Sequence, residues 1–138
     1  MKKIFVVGNT SIAPSIGLLI LRISFGAAML MHHGLDKLNK FHEMSGSFPD
    51  PLHLGSSTSL ALSMFAEVAA AALLTVGLLT RLAALILVID VGVAFIFVHN
   101  MSLGGQPPGE LAFLYLAAFI TLLFAGPGKV SIDGVVFK

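Results

Sequence analysis

The sequence contains no cysteine and no tryptophan, and charged residues make up only 11% of its 138 positions. Without cysteine, disulfides, thiol catalysis and thiolate metal sites are all excluded. A soluble domain normally has about 25% charged residues, and a chain with far fewer cannot cover its surface with polar groups in water. The net charge of +1 is too small to indicate nucleic acid or an anionic surface as a partner. These absences favour a protein whose exterior lies in lipid.

Apolar residues, by contrast, make up 57% of the chain and are concentrated in four runs. Crossing a hydrocarbon core of about 30 Å takes roughly 20 helical residues, and each run approaches that length. Alternation with a period of two is absent, so the runs predict helices rather than barrel strands. The Thr80-Arg81 pair predicts a tight turn that makes the second and third helices an antiparallel hairpin. The sequence thus predicts an all-α membrane protein, a single domain over residues 1–138 with a four-transmembrane-helix bundle at about 15–37, 59–79, 82–99 and 110–125.

The basic residues are concentrated on one side of this four-helix arrangement. That side holds Lys2, Lys3, Arg81, Lys129 and Lys138, and the other side holds Lys37 and Lys40 beside several acids. Because the more basic side faces the cytoplasm, we expect a multi-pass protein of the cell inner or plasma membrane with both termini cytoplasmic. The short apolar run Ile4–Val7 is followed by polar residues, so it predicts an interfacial lead-in rather than a cleaved signal peptide.

Three ionisable residues, Arg22, Glu67 and Asp90, lie deep inside the predicted spans. Each costs about 2.5–3.5 kcal/mol on insertion scales, so each needs a physical reason. One interpretation is structural, with Arg22 forming an ion pair with Glu67 or Asp90 and joining the first helix to the hairpin. Alternatively, Arg22 extends its guanidinium to the inner interface. A third interpretation makes Glu67 or Asp90 a proton carrier, because removal from water favours the neutral, proton-carrying form of an acid.

A second polar group is expected near the outer ends of the helices. Along the first helix, spacings of three and four predict one bundle-facing stripe, which ends with His33 and Lys37, while His32 faces headgroups or water. No pair of these residues has the spacing of metal ligands, so no metal site is predicted. The alternatives are histidines that anchor helix ends, a first-turn carboxylate that favours a helix N-terminus, or a binding site for a small redox ligand. The candidate ligand-binding residues are His33, Lys37, Glu67, His99 and Glu110.

Three sets of motif residues also follow one another along the chain. They are His33–Leu38 with Phe41, then Ala66-Glu67 followed by Gly77–Ala84, then Gly109–Ala112, Leu114–Ala118 and Gly126–Lys129 with Ser131 and Asp133. Together they resemble the HGxxKL, AE…GLLTRLAA and GPGxxSxD motifs of DoxX-type membrane proteins, over nearly the whole chain. The resemblance implies a four-helix bacterial or archaeal inner-membrane protein, linked loosely with quinone-coupled sulfur oxidation, terminal oxidases and oxidative-stress complexes that contain soluble redox partners. Asp90 matches none of these motifs.

The sequence is compatible with three functions. The first is a membrane subunit of a redox-linked system. If the protein is an enzyme, it is then a subunit of a quinone-linked oxidoreductase, and Lys37 stabilises an anionic ligand. In it Glu67 or Asp90 moves protons, and haem or a metal ranks below quinone as the cofactor. The second is a non-catalytic scaffold that docks soluble or membrane redox partner proteins, and the third is a small proton or solute transporter. All three predict contact with the lipid bilayer and a homo- or hetero-oligomer.

Overall fold

A computed structural model describes residues 11–137, and every regular element in that part of the chain is helical. The predicted lead-in at Ile4–Val7 and the basic residues Lys2, Lys3 and Lys138 lie outside the described residues. The helices are α1 (Ile12–Asn39), α2 (Phe41–Met44), α3 (Ser56–Val76), α4 (Thr80–Val98), α5 (Glu110–Ala125) and α6 (Ile132–Val136).

Three helices, α1, α3 and α4, are long and apolar enough to cross a membrane. The fourth apolar helix, α5, has 16 residues and is shorter. Large apolar side chains cover the exterior, among them Ile20 and Phe124, which are strongly exposed. Because such a surface suits hydrocarbon and not water, the predicted all-α membrane protein is confirmed for the part of the chain that the structure describes.

The turn between α3 and α4 lies three residues earlier than predicted. Residues 77–79 make the turn, and Thr80 is already the first residue of α4. The shift has two causes. Gly77 adopts a left-handed conformation (φ 76°), which ends α3. The Asp133 carboxylate accepts hydrogen bonds from the backbone N–H groups of Leu79 (2.7 Å) and Thr80 (2.8 Å), which stabilises the start of α4.

Small residues bring the helices of the bundle close together. A Cβ atom at Gly26 of α1 would overlap the side chain of Thr75, so α1 and α3 approach closely there. Ala70 of α3 and Ala84 of α4 are fully buried between the helices. Larger apolar side chains, such as Phe119 of α5, complete the core.

The bundle has two different ends. The hairpin end contains the 77–79 turn together with residues 126–137, which follow α5. The loop end contains residues 40–55, between α1 and α3, and residues 99–109, between α4 and α5.

Candidate functional site

Arg22 lies toward the hairpin end and is 2% exposed. Its guanidinium donates to three backbone carbonyl oxygens, those of Thr75 (Nε, 3.3 Å), Pro127 (Nη1, 2.8 Å) and Val130 (Nη2, 2.9 Å). Gly77 leaves room for this group, because a Cβ there would lie 2.6 Å from the guanidinium carbon. Arg22 thus ties α1 to α3 and to the segment after α5.

The expected ion pair between Arg22 and Glu67 or Asp90 does not form. Within residues 11–137 the ion pairs are Lys37–Glu67 and Lys40–Asp36. The physical reason is that the turn after α5 presents carbonyls that no helix uses, and these satisfy the guanidinium. The two acids are therefore left for other partners.

A cavity of about 570 Å³ lies between the helices toward the loop end. Residues of α1, α3, α4 and α5 line it, and so do residues of the loop between α1 and α3. Most of the wall is apolar. The polar and titratable residues in the wall are His33, Lys37, Ser59, Ser63, Glu67, Asp90, His99 and Tyr115.

Lys37 of α1 and Glu67 of α3 form an ion pair in this wall. Their side chains are only 14% and 7% exposed, so neither charge is well hydrated. The ammonium also lies 5.8 Å from the centroid of the Phe48 ring, which belongs to the loop. Because each charge offsets the burial of the other, the pair can remain in an apolar wall.

Asp90 of α4 faces the same cavity and has the Ser63 side chain as a hydrogen-bonding neighbour. The cavity therefore combines one lysine with two carboxyl groups, those of Glu67 and Asp90. Carboxyl groups within a membrane span are rare and mark ion or proton paths in many membrane proteins. This arrangement is suited to holding a proton close to a bound ligand.

Aromatic rings close the cavity on the α5 side. The rings of His33 and Tyr115 meet edge to face, with centroids 5.5 Å apart and an interplanar angle of 87°. The Phe25 ring also packs edge to face with Tyr115, with centroids 5.5 Å apart. Tyr115 was not among the predicted site residues. The available signal was that it is the single tyrosine of the chain and lies inside an apolar span.

Of the remaining histidines and acids in the predicted outer polar group, one lines the cavity and two do not. His99 lines the cavity, and its Nδ1 lies 3.1 Å from the carbonyl oxygen of Pro107. Glu110 is exposed and is not part of the wall, contrary to expectation. It is the first residue of α5, where the positive end of the helix dipole favours a carboxylate. His32 is exposed and also lies outside the wall.

Three of the cavity-forming helices contain one π-helical turn each. These turns are Leu30–Gly34 in α1, Ala66–Ala70 in α3 and Ala94–Val98 in α4. They carry His33 and Glu67 into the wall. A π turn inserts an extra residue and changes the direction of the side chains around it, and such turns are frequent at functional sites.

No group of three or more His, Asp or Glu side chains that could hold a metal ion occurs among residues 11–137. The charged and aromatic groups of the cavity wall suit an organic ligand. Such ligands bind in concave, mainly apolar sites with a few well-placed polar groups.

Comparison with known proteins adds a family match. The family model described as DoxX matches residues 17–100, which contain Lys37, Glu67 and Asp90. Two proteins of Haemophilus influenzae, both described as uncharacterized, are 32% identical to this chain. One aligns over 121 residues, 81% of this chain and 85% of that protein, and the other over 136 residues, 92% and 87%. No solved structure matches the chain.

Proposed function

The chain belongs to the DoxX family, and we propose that it is an integral membrane subunit of a redox-linked system that binds a quinone in its cavity. The observation that carries the proposal is the Lys37–Glu67 ion pair, which stands beside Asp90 in an otherwise apolar wall. The cavity volume of about 570 Å³ falls within the range of roughly 300–1,000 Å³ that is usual for ligand pockets.

The residues of the wall fit the chemistry of a quinone head group. A quinone ring is flat and apolar on its faces, and its two carbonyl oxygens accept hydrogen bonds. Lys37 has three N–H donors, and the rings of His33 and Tyr115 offer further donors and a flat apolar surface. When bound, a quinone would supply the capacity to accept or donate electrons together with protons.

The protein's own groups have distinct roles in this proposal. Lys37 orients a carbonyl oxygen by donating to it and stabilises negative charge there. Glu67, the ion-pair partner of Lys37, and Asp90, with Ser63 beside it, take up and release the protons that accompany electron transfer, and Glu67 leaves its ion pair when it takes up a proton. The apolar wall excludes water, which strengthens each of these electrostatic interactions.

The topology belongs to the same proposal. We place α5 across the membrane as a fourth span, although it is shorter than the other three. With the hairpin end in the cytoplasm, Arg81 and Lys129 lie inside, as the distribution of basic residues requires. Both termini are then cytoplasmic, the membrane is the cell inner membrane, and the cavity lies in its outer half. Redox partner proteins and an oligomeric state are part of the proposal.

Native mass spectrometry of the protein released in mild detergent, with quinone extraction and metal analysis on the same sample, tests the proposal. We expect a quinone bound at up to one molecule per chain. A protein that carries only lipid or a partner polypeptide would contradict quinone binding and favour a scaffold. Proton or solute flux in proteoliposomes without any redox partner would instead favour a transporter.

A further inference from the structure

The two helices on one side of the cavity separate toward the loop end. In the middle of the bundle, the Ala66–Ala70 turn of α3 packs closely against α4. Nearer the loop end, Ser56–Phe65 of α3 packs against α1, and within the described residues it does not pack closely against Ala94–Val98 of α4. A cleft therefore opens between α3 and α4 beside the cavity.

Apolar side chains line this cleft and reach the exterior. Leu62 and Phe65 of α3 and Ile89 of α4 all belong to the cavity wall. They are also 55%, 60% and 59% exposed, so these apolar side chains belong both to the cavity wall and to the outer surface at the cleft. A side opening of this composition admits a hydrocarbon chain and repels a hydrated ion.

The loop end of the cavity has a cover. Phe48, Pro49 and Leu52 of the loop between α1 and α3 lie in the cavity wall. Asp50 fixes this loop, because its carboxylate accepts hydrogen bonds from the Leu54 N–H (2.9 Å), the Gly55 N–H (2.8 Å) and the Ser59 hydroxyl (2.7 Å). Phe48 of the loop lies over the Lys37 ammonium at the loop end, whereas the cleft between α3 and α4 lies at the side of the bundle.

We infer that the cavity takes its ligand laterally from the bilayer, and that the ligand is a quinone-type head group on a hydrocarbon chain. This inference rests on the proposed function and adds the route and the chain. The head group lies at Lys37 and Glu67, and the chain runs out between Leu62 and Ile89 into the lipid. A water-soluble substrate of similar head group would lack these chain contacts.

The first test compares two probes on the full chain in nanodiscs. One probe is a benzoquinone with a decyl chain, and the other is the same benzoquinone without it. Leu62→Trp narrows the cleft with an apolar group that lipid tolerates, and Leu114→Trp is the matched control on α5, at a side chain that is 47% exposed and outside the wall. We expect Leu62→Trp to weaken binding of the decyl probe about tenfold, the effect of removing about two methylene contacts, with the chainless probe unchanged.

The control variant should bind both probes as the unaltered protein does. Because membrane partition of the decyl probe is the same for both variants, the ratio of their dissociation constants reports the cleft alone. Equal weakening of both probes by Leu62→Trp, or no weakening, would overturn the lateral route and leave quinone binding intact. If neither probe binds the unaltered protein, the proposed function is wrong. The measurement described next then tests whether the cavity is open to lipid through the cleft.

The second test does not require a quinone. The chain has no cysteine, so a Ser63→Cys variant carries a single fluorophore inside the cavity. We expect a nitroxide on a lipid acyl chain to quench this fluorophore, and also to quench the same fluorophore on a Leu114→Cys control. We expect aqueous iodide not to quench the fluorophore inside the cavity. Quenching by iodide without quenching by the lipid nitroxide would overturn the inference.

Discussion

The two ends of the bundle both bury charged groups, yet these groups have different partners. At the hairpin end, Arg22 donates to three backbone carbonyls and Asp133 accepts from two backbone N–H groups. At the loop end, Lys37, Glu67 and Asp90 face a cavity, and the partner of the lysine is a side chain. Burial of a charge therefore does not by itself assign a role, and the different partners are the basis on which we propose a structural role at the hairpin end and ligand binding at the loop end.

Arg22→Met should break the hairpin end and give the largest effect on stability. It leaves three buried carbonyl oxygens without their charged donor, and each such hydrogen bond is worth about 1.5 kcal/mol. We expect the free energy of unfolding to fall by about 4.5 kcal/mol, measured by denaturant titration in detergent micelles. Restoration of stability by adding Glu67→Gln to Arg22→Met would contradict the assignment, because the acceptors of Arg22 are backbone groups that no side-chain change removes.

Lys37→Met is the corresponding change at the loop end. It leaves the Glu67 carboxylate buried without its cation, and breaking a buried pair in this way costs about 3 kcal/mol. Here the second change should rescue the first, since Lys37→Met with Glu67→Gln removes both charges. We expect the double variant to recover most of the stability in the same titration. A double variant as unstable as Lys37→Met would show that Lys37 has a structural role beyond its ion pair.

Asp133→Asn should lower the free energy of unfolding by a smaller amount at the hairpin end. The amide keeps one acceptor oxygen for the N–H groups of Leu79 and Thr80, whereas the carboxylate has two. Losing one capping hydrogen bond at the start of α4 should cost about 1 kcal/mol. The same unfolding titration measures it, and quinone binding by the folded fraction should not change. A loss of binding without a loss of stability would contradict this structural role.

The smallest effect is expected at the loop over the cavity, and it depends on pH. The Ser59 hydroxyl, followed by the Gly55 and Leu54 N–H groups, lowers the pKa of Asp50 below its ordinary value. Because the unfolded value is about 3.9, the contribution of Asp50 to the ordered loop is complete above that pH and is lost as the pH falls through the lower folded value. A nitroxide on a Leu52→Cys variant should therefore gain mobility only at strongly acidic pH.

Asp50→Asn provides the control for that titration. With this change added, the nitroxide should be mobile at all pH values, and the acid transition should disappear. An acid transition that persists without the carboxylate would assign it to another group.

The described spans and their apolar exterior were predictable because length and hydropathy determine which segments enter lipid. The stripe on α1 was also readable, since spacings of three and four place Arg22, His33 and Lys37 on one face. The partner of Arg22 was not, because backbone carbonyls have no sequence signature and those of Pro127 and Val130 lie 105 and 108 residues away along the chain.

Other parts of the site were missed for related reasons. The π turns that direct His33 and Glu67 into the wall have no residue pattern of their own. Glu110 was expected at the site because it lies near the same end of the bundle, yet it is the first residue of α5, is exposed, and is not part of the cavity wall. The sequence predicted the end of the bundle at which Glu110 lies, but it did not predict whether the residue belongs to the cavity wall.

The most direct test of the account is the dissociation constant of the decyl benzoquinone for two proteins in nanodiscs, the unaltered chain and the stable Lys37→Met/Glu67→Gln variant. The account predicts saturable binding to the unaltered chain and binding about thirtyfold weaker in the variant, the loss of one hydrogen bond from a charged donor. Equal binding by both proteins, or no saturable binding by the unaltered chain, would contradict the claim that the cavity is a quinone site.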